Sequence, residues 1–413
     1  MKRFLAPFLL VCITTTVYAQ QVQQPAQPNL AVRQDESPAL MTMTARTAWG
    51  PERERMDKNE ESRGEMRVFN SPAPLYPNAQ MDKTLLVPGP APFVSFDGPE
   101  QSDNEFELQP PDPNGVIGPG HFVGMYNLVT EIFDRNGVSL TGPFPSNAFF
   151  NGFGGLCEET NDGYPIVLYD GIHNRWIVSQ FAVASPTGPS SQCIAVSSSA
   201  DPLGSYFRYE FAHQPIGDYP KLGLSPSGEE LLVMYRMFGP SPSFLVGGIM
   251  DYTTMRTGNP AVELLVNMDE LVEAAEPEVF ADGFLPVNYV GQAPSDQLPF
   301  FAGHLDTSTG ASFDQFMVID LTSFDFESGD VSVNISQLAV DPYDLIFCGE
   351  LIVSCIEQPS GGSLLQPLSL FTMHSLSSQD FDSHFGTVAT HTVNIGDDRA
   401  AIRWYEFRNE NGD

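Results

Sequence analysis

The chain is short of basic residues: 19 Lys and Arg stand against 52 Asp and Glu in 413 residues, a formal net charge of −33. A protein that grips phosphate needs a dense cationic face, and roughly one basic residue in twenty does not supply one, so nucleic acid is excluded as a partner. The same shortage disfavours an anionic membrane surface. Past the N-terminal stretch no run of about 18 apolar residues occurs, so no integral membrane segment is expected in the mature chain. Also missing are a Gly-Lys-Ser/Thr phosphate loop, a Gly-x-Ser-x-Gly elbow and a His-Glu-x-x-His helix. Their absence removes the commonest signatures of P-loop nucleotide hydrolysis, α/β-hydrolase chemistry and zincin proteolysis. What the chain does have is apolar material for a core, 42% of residues with 30 Phe, and 35 Gly with 35 Pro for many turns.

Lys2 and Arg3 precede an apolar stretch, Phe4 to Ile13, and Val17-Tyr18-Ala19 offers the small-x-small pattern of a signal peptidase site. Residues 1–19 therefore read as a secretory signal peptide, too short in its apolar core to span a bilayer, with Gln20 as the new terminus. Its removal takes two positive charges away and leaves the exported chain more acidic still. In an oxidising compartment the four remaining cysteines, Cys157, Cys193, Cys348 and Cys355, favour disulfides. Three pairings are open. Cys348 to Cys355 looks like a hairpin with a local bridge, which would leave Cys157 with Cys193. The alternative, a zinc site, lacks Cys-x-x-Cys spacing and nearby His pairs.

Residues 20–95 are polar, with Gln/Pro clusters, a mixed-charge run from Pro51 to Arg67 and no sustained periodicity, and predict a flexible leader. From 96 to 413 the pattern changes to short β-rich runs separated by Gly, Pro, Asn and Asp at intervals of roughly ten residues. Among them are Pro165–Asp170, Arg175–Ala182, Tyr206–Phe211, Leu231–Met237, Phe300–Leu305, Leu370–His374 and Ala401–Phe407. One helical pattern, Met268 to Ala275, falls in a connection. Segments 165–211, 219–265, 284–339 and 363–408 are each blade-sized. The fold class is thus all-β, a β-propeller-like body of about five or more blades, with a pair of β-sandwiches as the competing architecture. The last strand, Arg403–Phe407, leads into a turn at Asn409–Asp413, so the final blade is expected either to be completed by an early strand or to be cut short.

Five stretches occur in a characteristic order: Pro110 to Val123, Pro165 to Phe181, Cys193 to Ser197 with Asp201 to Tyr206, Asp218 to Gly223, and Ile402 to Glu406. In this order they resemble a group of large secreted bacterial proteins with a propeller-like body, sometimes loosely labelled sialidase-like without an established activity. The resemblance covers residues 108–408 and implies a secreted or periplasmic bacterial location. Relatives continue beyond the Arg403-Trp-Tyr-Glu406 strand, which implies C-terminal truncation here, and Tyr164 stands where they carry Asp.

Candidate chemistry is sparse. Asp112 and Asn114 place a carboxylate and an amide oxygen on one tight turn, which suits either a Ca²⁺ site or a plain Asx turn. Asp170 and Arg175 bracket a hairpin turn and predict an ion pair across it. Asp218 and Lys221 flank Tyr219-Pro220 at the start of an inner strand, where an acid and a cation would face the channel mouth. Arg175, Arg403 and His384 complete the set of candidate catalytic residues, and His304 and His391 would join His384 if blades converged. The Asp-box turn of sialidases is represented only by Asp306 to Phe313, with Ser308 in the Asp place. Two functions follow: an extracellular propeller that binds a protein or glycan without catalysis, or a sialidase-like carbohydrate hydrolase with acids and arginines at the channel mouth.

Overall fold

A computed structural model describes residues 17–44, 92–104, 110–185, 188–214, 216–238, 243–351, 353–357, 363–381 and 383–410. Three strands come first: β1 (Val17–Pro25), β2 (Gln27–Leu30) and β3 (Arg33–Glu36). Blade I follows as β4 (Asn114–Ile117), β5 (His121–Met125), β6 (Val129–Asp134) and β7 (Phe144–Pro145). Blade II is β8 (Ile166–Asp170), β9 (Arg175–Val183), β10 (Ser190–Ser197) and β11 (Tyr206–His213), and blade III is β12 (Ile216–Leu224), β13 (Glu230–Phe238), β14 (Phe244–Asp251) and β15 (Val262–Asn267). Blade IV comprises β16 (Leu285–Tyr289), β17 (Phe300–Leu305), β18 (Gln315–Phe324) and β19 (Asp330–Ala339). Blade V has three strands, β20 (Leu376–Phe381), β21 (His384–Asn394) and β22 (Ala400–Glu410). Each blade is an antiparallel meander, as a β-propeller requires, and the inner strands β16 and β20 also pair in parallel.

Period-2 alternation explains how one sheet serves two neighbours. In blade II, Val167, Trp176, Val178, Cys193 and Ala195 pack towards blade I, while Ile166, Leu168, Ile177, Ile194 and Val196 pack towards blade III. With both faces buried, β9 and β10 carry continuous apolar stretches, Trp176–Val178 and Cys193–Val196. Blade III repeats the device, turning Leu231 and Val233 to blade II and Leu232 and Met234 to blade IV. Each such side chain contributes about 1.5–3 kcal/mol when fully buried. The predicted helix is present at Met268–Ala275 between β15 and β16, capped by the Asn267 side chain, with Met268, Leu271 and Val272 buried. Cys157 bonds to Cys193 and Cys348 to Cys355.

The expected flexible leader is corrected over its first part. Residues 20–36 are strands: β1 adds to the outer edge of blade IV, β2 to blade III and β3 to blade II, and the short helix Leu40–Met43 then packs on Phe149 and Phe150. The remainder of the leader from 45 to 91 lies outside the described residues. Early strands therefore do complete blades, but IV, III and II and not the last one. Polar side chains hid this role because an outermost strand docks through its backbone. β3 is also held by charge: the buried Arg208 guanidinium donates to both Asp35 carboxylate oxygens at 2.7 and 2.6 Å and to the Phe149 and Asn151 carbonyls. Leu370–His374, expected as a strand, is instead part of the irregular connection from β19 to β20. In blade V, β22 runs to Glu410 where a turn was expected, and holds Ile402 and Trp404 79% and 64% exposed.

Replacing Asp35 with Ala leaves Arg208 buried with two carbonyl partners and no counter-charge. The expected cost is ~2 kcal/mol, read as a lower urea midpoint with an unchanged slope.

Candidate functional site

The inner strands of blades I, II and III start alike. Asp112-Pro113, Tyr164-Pro165 and Tyr219-Pro220 each place a left-handed residue immediately before a proline, with φ of +38°, +48° and +54°. Proline steers its predecessor towards extended backbone, and an L-residue with positive φ costs about 1–2 kcal/mol, so the repetition is imposed by tertiary contacts. In blade III the turn is a bulge within β12, where the register with β13 shifts between Asp218 and Lys221. At the matching point of blade IV stands Gly283 (φ +73°), where a Cβ would lie 2.5 Å from the Phe371 Cα. Strain of this kind gathers at functional sites.

Asn127 fastens two of these turns together. Its side-chain NH₂ donates to the Asp112 carboxylate at 2.7 Å and to the Pro110 carbonyl, and its Oδ1 accepts from the Tyr164 N–H at 3.0 Å. Aromatic rings continue the mouth: Phe181, Tyr164, Tyr219 and Phe371 follow one another at centroid separations of 5.1, 5.9 and 5.2 Å. The Lys221 ammonium lies 4.0 Å over the Tyr219 ring. Asp218 is buried, accepts from the Tyr219 N–H at 2.7 Å, and is in register with Arg236, which pairs with Asp282 at 2.7 Å. Between Tyr219, Lys221, Arg236, Asp282 and Thr372 remains a cavity of about 10 Å³, no more than one water.

On the other side of Asn127 a larger cavity of about 640 Å³ opens against blade I. Pro99, Glu100, Gln101, Asn104, Pro110, Pro111, Tyr126, Asn127 and Val129 line it. Asn104 is buried and donates to the Asn127 carbonyl at 2.9 Å. Burial and the Glu131 carboxylate raise the Tyr126 phenol, which is thus a neutral hydroxyl on a partly apolar ring. Among the described residues the wall combines amides, one phenol, proline faces and one carboxylate.

Of the sequence-derived catalytic candidates, only Asp218 and Lys221 lie at this mouth. Arg175 opens β9, across the hairpin from the end of β8, and donates to the His173 and Asn174 carbonyls. The ion pair expected between Asp170 and Arg175 is not what holds that hairpin: Asp170 accepts from the His173 N–H and ring and from the Tyr252 hydroxyl. His384 follows the β20–β21 turn, stacked on Phe381, and Arg403 lies on β22 over the Tyr343 and Tyr405 rings. Asp112 and Asn114 do not converge as Ca²⁺ ligands, because Asp112 accepts from Asn127 and Asn114 accepts from the Val167 N–H at 3.0 Å. Among the described residues no three His, Cys, Asp or Glu side chains gather as a metal site. His304 and His391 do meet, from blades IV and V, but His384 stays apart. The residues missed were Asn127, Tyr126 and Asp282, while Tyr164 and Tyr219 stood in the sequence reading only as a departure from the pattern and as a flanking residue. The signal that marks three of the turns is the x-Pro dipeptide just ahead of an inner strand.

No protein-family model matches the chain, and no curated protein does. Two solved structures are similar to it at 9% identity. An exo-1,5-alpha-L-arabinanase from a bovine ruminal metagenomic library aligns over 73% of this chain and 97% of its own, with a TM-score of 0.28. A GH43 endo-arabinanase from Bacillus licheniformis aligns over 71% and 92%, with a TM-score of 0.29. At those scores neither likeness bears on what the cavity holds.

Asn127→Ala removes three side-chain bonds that join two strained turns, and is expected to cost ~3 kcal/mol, whereas Asn114→Ala, which removes one, costs ~1 kcal/mol. Thermal unfolding of the two variants side by side checks the ranking.

Proposed function

We propose that this protein is an extracellular propeller that holds a neutral glycan without turning it over, in the blade I cavity. The observation that carries this reading is the cavity wall: a Tyr126 ring, proline faces and the hydrogen-bonding groups of Gln101, Asn104 and Glu100, within a volume that suits a small ligand. Sugars present hydroxyls to amides and carboxylates and apolar C–H faces to rings, and this wall offers both. Hydrolysis of a glycoside calls for two carboxyl groups facing each other across the bond. Among the described residues of the lining there is one carboxylate, Glu100.

A sialidase-like reaction would further need arginines gathered on a substrate carboxylate. Here Arg208 is committed to Asp35, Arg236 to Asp282, Arg175 to two carbonyls and Arg403 to two rings, on separate elements. An exported location is supported by the signal-like N-terminus and by the two disulfides. No helix among the described residues is long and apolar enough to cross a membrane.

The test is a glycan array with the exported chain, with and without Ca²⁺, followed by calorimetry on the best ligand. Neutral oligosaccharides are expected to bind independently of Ca²⁺, and Tyr126→Ala to weaken binding at least ~10-fold through loss of ring stacking. Release of reducing sugar that Glu100→Gln abolishes would replace this reading with a hydrolase. A protein ligand with no glycan signal would replace it with a protein-binding module.

A further inference from the structure

The strip Leu368–His374 crosses the channel mouth. Phe371 packs on Tyr219 at 5.2 Å, the Thr372 N–H donates to the Gly283 carbonyl, the Met373 N–H donates to the Thr390 carbonyl, and His374 Nε2 lies 3.0 Å from the Leu222 carbonyl. The Ser369 hydroxyl donates to the Leu345 carbonyl at 2.7 Å, and the middle of the strip is further anchored by one buried imidazole. His304 Nε2 is 3.0 Å from the Ser369 carbonyl and Nδ1 is 3.0 Å from the Thr372 hydroxyl. A carbonyl only accepts, so Nε2 bears the proton and Nδ1 accepts from Thr372. Both ring nitrogens of a neutral His304 are thereby spent on the strip.

Directly against that ring lies a second imidazole. His391 stacks on His304 with centroids 3.9 Å apart and planes 23° from parallel. Its Nε2 meets the Tyr405 hydroxyl at 2.9 Å, while its Nδ1 is buried without a hydrogen-bond partner. The neighbours compensate little for a positive charge: the Ser369 backbone favours a charged His304 and the Thr392 backbone a charged His391, and burial outweighs both. Tyr343 meets both rings edge-on, and Arg403, a cation, lies over Tyr343 and Tyr405. The nearby carboxyls are Asp306, Asp314 and Asp344. Asp306 is bonded to Ser308 and Thr309 within its own turn, Asp314 to the Thr307 and Tyr343 N–H groups, and Asp344 to the Ile346 N–H.

We infer that the strip Leu368–His374 is a lid on the channel mouth, latched by the stacked His304–His391 pair, and that acidification releases it. Two imidazolium rings in van der Waals contact, with Arg403 beside them, repel in a medium that screens little. Burial pushes His304 down to about 4 and His391 well below the ordinary histidine value, the latter helped by His304 and Arg403. Burial raises Asp306 to about 7, so this carboxyl has become neutral before the imidazoles charge. His374, at the end of the strip, is likewise pushed down to about 4 by burial. The sign follows: the closed lid keeps its histidines neutral while an open lid lets them protonate near 6.5. The latch is therefore at full strength above pH ~6.5 and is lost progressively as pH falls from ~6.5 to ~4. Release lifts Phe371 from Tyr219 and uncovers Tyr164, Tyr219 and Lys221 at the mouth.

Hydrogen exchange on the full exported chain tests this, with protection corrected for intrinsic exchange and β10 of blade II as the internal reference. Amides of 369–374 are expected to lose at least ~10-fold protection between pH 7 and 4.5 while β10 does not. In the double variant His304→Gln, His391→Phe, where Gln keeps both polar partners, the loss is expected to shrink below ~3-fold. Should that variant fail to fold, Phe371→Trp in the otherwise unaltered chain serves instead, its emission shifting red with a midpoint between pH ~6.5 and ~4. Protection in the strip that tracks β10 at both pH values overturns the lid. An unchanged loss in the double variant, or an emission from the Phe371→Trp chain that stays flat across that range, overturns the histidine latch.

Discussion

An antiparallel blade ends in a row of unpaired backbone N–H and C=O groups, and in this chain the closing of those outer edges governs the rest of the architecture. β1, β2 and β3 satisfy the edges of blades IV, III and II in turn, so some twenty N-terminal residues run backwards across three blades that the later chain built in forward order. Each addition is a backbone contact first, which tolerates the Gln-rich, Pro-rich sequence of the strap. Side chains reinforce it where the strap meets buried charge: Asp35 neutralises Arg208, Arg33 lies by Glu210, and Asn29 donates to Glu263 at 3.0 Å. Blades II to IV are thereby bound on their faces by apolar packing and on their rims by one continuous segment.

With the rims fixed, the inner ends are free to carry strain. The left-handed residues before Pro113, Pro165 and Pro220 turn Asp112, Tyr164 and Tyr219 towards their neighbours at the same level of three consecutive blades. Asn127 shares its amide between the first two of these turns, and Lys221 and Phe371 bracket the third. The result is a mouth made of linked turns, closed above by a strip of the β19–β20 connection. The small cavity beneath the strip and the large cavity beside blade I are two outcomes of one arrangement: where the strip reaches, the mouth is filled, and beyond Asn127 it is open.

Much of the architecture was legible because the blades obey local rules. Turn residues at intervals of roughly ten and apolar runs such as Trp176–Val178 identified four blade-sized segments, three at their true places and the fourth begun ahead of β20, and the short helix at Met268 showed its amphipathic spacing. The strap was illegible for a physical reason: an outermost strand hydrogen-bonds through its backbone and leaves side chains in solvent, so Gln27–Leu30 carries no apolar alternation. Leu370–His374 misled in the opposite sense, being apolar because it lies on a ring-lined mouth and not because it is a strand. None of the sequence-derived site candidates is among the described residues that line the blade I cavity. Asp218 and Lys221 stand where their flanking Tyr-Pro implied, but Arg175, His384 and Arg403 were grouped by residue type alone, and residue type carries no information about which end of a strand faces the channel.

The acidity of the chain acquires a narrower meaning from these placements. Among the described acids, the buried ones have internal tasks: Asp170 holds a hairpin, Glu263 receives His213, Tyr235 and Asn29, and Glu276 accepts from Ser312, Gln315 and Gln337. Four of the described arginines, Arg208, Arg236, Arg403 and Arg175, are spent as well, on Asp35 and Asp282 and on rings and carbonyls. A ligand approaching the blade I cavity meets a chain of net negative charge, with Glu100 in the wall and no cation among the described lining residues. A field of that sign slows and weakens anionic ligands and leaves neutral ones unaffected, so the composition that excluded nucleic acid also argues against carboxylated sugars. Selection by the field is general to the surface, and under the proposed reading selection among neutral glycans would fall to the ring and amides around Asn127.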